Sequence, residues 1–81
     1  MILHVMQAQY QSAYKIWVRF NDGSEGVIDL KDQLDGEIFT PLRNIEQFKS
    51  FHVDSELQTL VWPNGADLAP EFLQELLQVA A

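Results

Sequence analysis

The stretch that decides the fold is residues 51–70, which read FHVDSELQTLVWPNGADLAP. Residues 57–62 alternate in side-chain character and include two β-branched residues, which predicts a strand buried on at least one face. Pro63 ends this strand because proline cannot donate a hydrogen bond to a ladder. The following Asn64-Gly65 suits a turn. Residues 51–53 are the predicted partner strand, so the segment is expected to form a β-hairpin.

Two earlier segments also predict strands. Residues 2–10 alternate imperfectly, as a first strand partly covered on both faces would. Residues 14–20 alternate strictly, with one apolar face and one charged face. Residues 11–13 are predicted to connect them.

The first predicted hairpin along the chain turns at Asn21-Asp22-Gly23. A three-residue loop places Arg19 opposite Glu25 and Ile16 opposite Ile28. A two-residue loop would instead put carboxylates on the apolar face, so matching across the strands favours the longer loop with Gly23 in a left-handed conformation.

The middle of the chain is predicted to be a connection followed by a short helix. Residues 31–40 are expected to turn at Asp35-Gly36. Three apolar side chains of this connection are expected to pack inward: Leu34, Ile38 and Phe39. Two successive helix starts follow, at Thr40-Pro41 and at Asn44, and Asn44 with Gln47 fits a capping box.

A final helix is predicted to start at Pro70, which suits the first helical position. Its apolar stripe comprises Phe72, Leu73, Leu76, Leu77 and Ala80. The expected architecture is therefore one α+β domain over residues 1–81, with a small, mainly antiparallel sheet of three strands, a short helix, a β-hairpin and a C-terminal helix.

Charge and composition narrow the classes of function. The 81 residues include twelve acidic and five basic side chains, a net charge of −7, and no cysteine. Direct nucleic-acid binding would need clustered basic residues, so it is not expected. Thiolate catalysis and cysteine metal sites are excluded. With no apolar run long enough to cross a membrane, a cytoplasmic location is expected.

Residues with catalytic potential are sparse. His4 and His52 are the only imidazoles, and His52 lies two residues from Asp54, a spacing that would put both on one strand face as two metal ligands. Hairpin faces often carry such pairs by accident, so ordinary solvated side chains are the favoured explanation. The serines lie in turn-like contexts and the glycines are too dispersed for a phosphate loop. We therefore expect no enzymatic activity and no cofactor.

The loop of residues 62–67 is the best candidate for recognition. Trp62, Asn64 and Asp67 would supply an aromatic anchor, an amide and a carboxylate. The alternative is that Trp62 belongs to the core and the others serve the turn. Trp17 poses the same choice: it marks an interface or dimer contact if exposed, and is core if a helix covers it. The Trp62–Pro63 bond can be cis or trans on this reading.

Several motifs together resemble a small bacterial family, the domain of unknown function family numbered 2442. They are Phe20-Asn21-Asp22-Gly23, Gly26-Val27-Ile28-Asp29-Leu30, Phe39-Thr40-Pro41-Leu42, Phe48 and Val61-Trp62-Pro63-Asn64-Gly65-Ala66-Asp67-Leu68. The last is the most specific. Two departures are Ala69, where the family suggests an acidic cap, and Gln58, where a glycine would suit the turn.

The resemblance implies a compact α+β module, often encoded beside a second small protein as toxin–antitoxin pairs are. It supplies no catalytic residues. The favoured hypothesis is a non-enzymatic interaction module, the antitoxin-like acidic partner of a small basic protein. A homodimeric DNA-associated regulator is the alternative, and a small metal-dependent or hydrolytic enzyme a further one.

Overall fold

The computed structural model describes the backbone of residues 2–80 and the side chains of residues 2–77. The elements in chain order are β1 (Val5–Ser12), β2 (Lys15–Phe20), β3 (Glu25–Asp29), 3-10 turns at Lys31–Gln33 and Thr40–Arg43, α1 (Ile45–Phe48), β4 (His52–Val53), β5 (Leu60–Val61) and α2 (Pro70–Ala80). The α+β class is confirmed, with a three-stranded antiparallel sheet, a separate two-stranded hairpin and a C-terminal helix.

The central hairpin has the predicted register. Arg19 pairs with Glu25 and Ile16 with Ile28 across β2 and β3. The amide of Phe20 donates to the carbonyl of Ser24 at 2.8 Å, which closes a three-residue loop. Gly23 occupies the left-handed region with φ of +90°, where a side chain would be strained. The apolar face of β2 therefore lies against that of β3, as the alternation predicted.

The first strand lies further along the chain than predicted. It spans Val5–Ser12 instead of residues 2–10, and its partner in the sheet is β2. The predicted connection at residues 11–13 reduces to a tight turn at Ala13-Tyr14, with Ala13 at φ of +47°. Backbone pairing with β2 continues to Ser12, although the side chains at this end of β1 are polar and exposed. The strand's limits follow the pairing and not the side-chain pattern.

The core lies on one face of the three-stranded sheet. The buried apolar residues are Val5, Ile16, Val18, Phe20, Ile28, Leu30, Leu34, Leu42, Phe48, Leu60, Trp62, Ala66 and Leu73. Helix α2 packs against β3 on this face, where an added Cβ at Gly26 would meet the Leu77 Cδ2 atom at 3.0 Å. Glycine at this position therefore lets the helix approach the strand closely.

The connection after β3 packs only in part as predicted. Leu34 is buried and Phe39 packs against the core. Ile38 is 43% exposed, so its predicted inward packing is wrong. The Asn64 side chain donates to the Ile38 carbonyl at 2.8 Å, which fixes the backbone there. The predicted helix start is confirmed at Asn44, whose side-chain oxygen accepts hydrogen bonds from the amides of residues 46 and 47.

The second hairpin, formed by β4 and β5, is shorter than predicted. Only His52–Val53 and Leu60–Val61 pair as strands. Residues 54–58 form the turn, in which the Gln58 amide donates to the Asp54 carbonyl at 2.7 Å. Leu57 thus belongs to the turn and is 56% exposed. Gln58 has a φ of +56°, which agrees with the expectation that glycine suits this position.

Replacement of Gln58 by glycine is expected to stabilise the fold. A left-handed conformation costs a residue with a Cβ about 1–2 kcal/mol, and the greater freedom of glycine in the unfolded chain offsets part of the gain. Gln58→Gly should therefore raise the free energy of unfolding by about 0.5–1 kcal/mol in urea denaturation. Gln9→Gly, in the extended strand β1, should lower it. A loss of stability in Gln58→Gly would contradict the strain assigned to Gln58.

Candidate interaction surfaces

Trp62 is a core residue. It is 1% exposed, and its indole Nε1 donates to the Phe48 carbonyl at 2.8 Å. Its ring centroid lies 6.0 Å from that of Phe48 and 6.2 Å from that of Phe51. Of the two interpretations of Trp62, the core residue is therefore confirmed and the exposed anchor is wrong: its apolar bulk and its N–H group are both satisfied internally.

The loop that follows Trp62 is held by its own backbone and by Asn64. The Gly65 amide donates to the Trp62 carbonyl at 2.9 Å, and the Trp62 amide donates to the Ala66 carbonyl at 2.8 Å. Asn64 Oδ1 accepts from the Ala66 amide at 3.0 Å. Peptide bonds are trans throughout the part of the chain that the structure describes, including Trp62–Pro63. Asn64 therefore shapes the loop while its side chain stays at the surface.

This loop and the connection after β3 form one surface. We call Glu37, Ile38, Asn64 and Asp67 the acidic loop surface. The four residues are exposed, and the Asn64 Nδ2 bond to the Ile38 carbonyl joins the two segments. An ideal Cβ on Gly65 would lie 3.8 Å from Ile38 Cδ1, so the exposed isoleucine sits directly beside the loop. Asn64 thus joins the loop to the connection, Asp67 is an exposed carboxylate at the end of the loop, and Trp62, buried at its start, is not part of this surface.

Trp17 belongs to a different surface. The side of the three-stranded sheet opposite the core carries Gln7, Gln9, Ser12, Lys15, Trp17, Arg19, Glu25, Val27 and Asp29, which we call the open face. Trp17 is half-buried and Val27 is 42% exposed. The Arg19 guanidinium carbon lies 5.7 Å from the centroid of the Trp17 ring, and Arg19 Nε pairs with Glu25 Oε2 at 3.0 Å. Helix α2 packs on the other side of the sheet, so it does not cover Trp17.

His52 and Asp54 are neighbours, as their spacing predicted. His52 Nε2 lies 3.9 Å from Asp54 Oδ2. Among the described side chains, no group of three or more histidine, aspartate or glutamate residues could hold a metal ion. An open cleft of 220 Å³ adjoins the turn and is lined by His4, Val5, Met6, Val53, Asp54, Ser55 and Gln58. His52 does not line it.

Asp54 works as a structural acceptor in its turn. Its Oδ1 accepts hydrogen bonds from the amides of Glu56 at 2.8 Å and Leu57 at 2.9 Å. The bonds from Leu57 and Glu56, with a smaller contribution from the charge of His52, lower the pKa of the Asp54 carboxyl. The pKa of Asp22 is also lowered, first by the Ser24 hydroxyl, then by the Ser24 amide and by Gln74. Both carboxylates stabilise turns that they belong to.

A small α+β domain with one covered sheet face is the class that this fold defines. A family model described as "Protein of unknown function (DUF2442)" matches residues 5–76. Since this range is most of the chain, the protein belongs to that family. No significant match is found among curated proteins or among solved structures. No helix in the described residues is long and apolar enough to cross a membrane.

The acidic loop surface was only partly visible in the sequence. Asn64 and Asp67 stood out because they follow a Trp-Pro turn. Glu37 and Ile38 did not, since the hydrogen bond that brings them to the loop spans 26 positions. Because Ile38 was predicted to pack inward, the sequence did not indicate that it would be an exposed apolar residue of this surface. The open face, in contrast, could be read from the period-two pattern and the register of the first hairpin.

The role of Trp62 can be tested by replacing it with phenylalanine. Trp62→Phe removes the N–H donor, leaves the Phe48 carbonyl without its partner, and leaves a space in the core. We expect the free energy of unfolding to fall by about 2 kcal/mol. Trp17→Phe, on the open face, should change it by less than about 0.5 kcal/mol. Equal effects of the two changes, measured by urea denaturation, would contradict the core assignment of Trp62.

The lowered pKa values predict a dependence of stability on pH. A carboxyl with a folded pKa below the usual value of about 3.9 contributes stability above that value and loses it as pH falls through the folded pKa. Asp54→Asn and Asp22→Asn should each reduce the fall in melting temperature between pH 6 and pH 2, and the double variant should reduce it further. Curves parallel to that of the natural chain would refute this contribution.

Proposed function

We propose that the protein is a non-enzymatic interaction module that binds a small basic protein. In this proposal the two proteins form an antitoxin-like pair encoded by neighbouring genes. The acidic loop surface is the binding site on this chain. The partner supplies lysine or arginine side chains that face Glu37 and Asp67, and an apolar group that covers Ile38.

The observation that supports the proposal is the uncompensated negative charge of the surface. Of the twelve carboxylates, all except Asp54 are exposed. Among the described side chains, three of the carboxylates pair with a lysine or arginine: Glu25, Asp35 and Glu46. The charge of the remaining exposed carboxylates faces solvent, where it attracts a basic partner and accelerates association.

The acidic loop surface combines three properties of a binding site. Its shape is fixed, because Asn64 bonds both to the Ala66 amide within the loop and to the Ile38 carbonyl across it. It exposes an apolar group at Ile38. Carboxylates lie on both segments, at Glu37 and Asp67. An apolar centre with a charged rim is the usual arrangement of protein–protein interfaces.

The proposal can be tested by co-expression with the protein encoded beside this chain's gene. We expect the two to co-purify, with a dissociation constant that rises with salt because exposed charges are screened. Glu37→Gln combined with Asp67→Asn should weaken binding at least tenfold in calorimetry, and Ile38→Ser should weaken it without changing the salt dependence.

A matched control is Glu56→Gln combined with Glu75→Gln, which removes the same charge from other exposed positions. This control should bind within about twofold of the natural chain. Failure of the neighbouring protein to bind at low salt would refute the proposed pair. Equal weakening by the two double variants would refute the location of the site.

A further inference from the structure

The charges of the open face are sorted by strand. The outward side chains of β2 are Lys15, Trp17 and Arg19, and those of β3 are Glu25, Val27 and Asp29. They form three rows across the pair: Arg19 opposite Glu25, Trp17 opposite Val27, and Lys15 opposite Asp29. The outward positions of β1 add only the uncharged Gln7, Gln9 and Ser12. One strand of the face is thus basic, the next is acidic, and the middle row is apolar.

From this arrangement we infer that the open face binds a second copy of the chain, in a symmetric homodimer with the strands of the two sheets parallel. Two antiparallel sheets commonly pack face to face about 10 Å apart with nearly aligned strands. A two-fold axis running along the strands, midway between β2 and β3, places β2 of each copy over β3 of the other. Such an interface is isologous, so each contact occurs twice.

This orientation matches every charged row. Arg19 of one copy lies over Glu25 of the other, and Lys15 lies over Asp29. Trp17 covers Val27, so the two apolar residues of the face are shielded from water together. The open face is therefore complementary to itself in charge and in apolar area.

Other two-fold orientations lack this complementarity. An axis across the strands reverses their direction and places Lys15 of one copy over Arg19 of the other. An axis along β2 itself places each basic residue over its own equivalent. Like charges that face each other oppose association, so the charge pattern selects the first orientation.

The size of the face predicts a weak dimer. In this orientation β1 of each copy has no strand of the other copy opposite it. The overlap is therefore two strands at a spacing of about 4.8 Å and five residues at about 3.4 Å each, a projected area of roughly 160 Å². This is well below the roughly 800 Å² per partner of a standard interface, so we expect a weak, transient dimer that forms at high protein concentration. The acidic loop surface lies outside the open face, so self-association does not depend on the proposed function.

Analytical ultracentrifugation of the full chain tests the inference. Between 10 µM and 1 mM the mass should rise from that of the 9.3 kDa monomer towards twice this value. Lys15→Glu with Arg19→Glu gives an all-acidic face, and Glu25→Lys with Asp29→Lys gives an all-basic face. Each variant alone should self-associate at least tenfold more weakly than the natural chain, and an equimolar mixture should recover association at or above the natural level.

Two controls separate local pairing from net charge. Lys31→Glu with Lys49→Glu, and Glu56→Lys with Glu71→Lys, make the same changes of net charge away from the open face. Both should dimerise within about threefold of the natural chain, and far-UV circular dichroism should show that all four variants are folded. Glu37→Gln with Asp67→Asn should dimerise normally.

Three results would overturn the inference. The first is a natural chain that stays monomeric at 1 mM. The second is a mixture of the all-acidic and all-basic variants that associates no better than either alone. The third is equal weakening in the open-face variants and their charge-matched controls.

Discussion

The hydrogen bond from the Trp62 indole to the Phe48 carbonyl joins the parts of this small fold. Trp62 directly follows β5 and Phe48 ends α1, so one bond connects two elements that have few residues of their own. The Phe48 ring in turn meets Tyr14 edge-on, with centroids 5.3 Å apart, in the turn immediately before β2. The sheet, the short helix and the hairpin therefore share one aromatic cluster, and a four-residue helix persists because of this packing and not through its own propensity.

Packing on a single face of the sheet gives the sheet one covered side and one open side. The side that α2, α1 and the second hairpin cover holds the apolar residues, and the other side keeps its polar alternation. Antiparallel sheets tolerate this arrangement because their outward side chains can be hydrated. One consequence is that the aromatic residue Trp17 remains partly exposed to water, because only neighbouring side chains of the sheet shield it. The acidic loop surface arises differently, from irregular segments joined at the edge of the core, so the two surfaces can change independently.

Local patterns in the sequence predicted the elements whose stability is local. The register of the first hairpin followed from opposite charges and from Asn21-Asp22-Gly23, and the capping by Asn44 followed from its own side chain. Predictions were wrong where backbone pairing or a distant contact decides the outcome. β1 extends to Ser12 because its backbone pairs with β2 there. Ile38 is exposed, and its carbonyl is bound by Asn64 from 26 positions away. The candidate site was visible at Asn64 and Asp67, but its other half required the folded chain.

The loops at residues 21–23 and 63–65 have the same hydrogen-bond pattern with a different side chain at the key position. In the first loop Asp22 accepts from the Ser24 amide at 2.9 Å, and in the second Asn64 accepts from the Ala66 amide at 3.0 Å. An amide oxygen accepts this bond without carrying charge. The loop beside Glu37 and Asp67 therefore keeps its geometry when acid neutralises its surroundings, so in this part of the molecule shape and charge are decoupled.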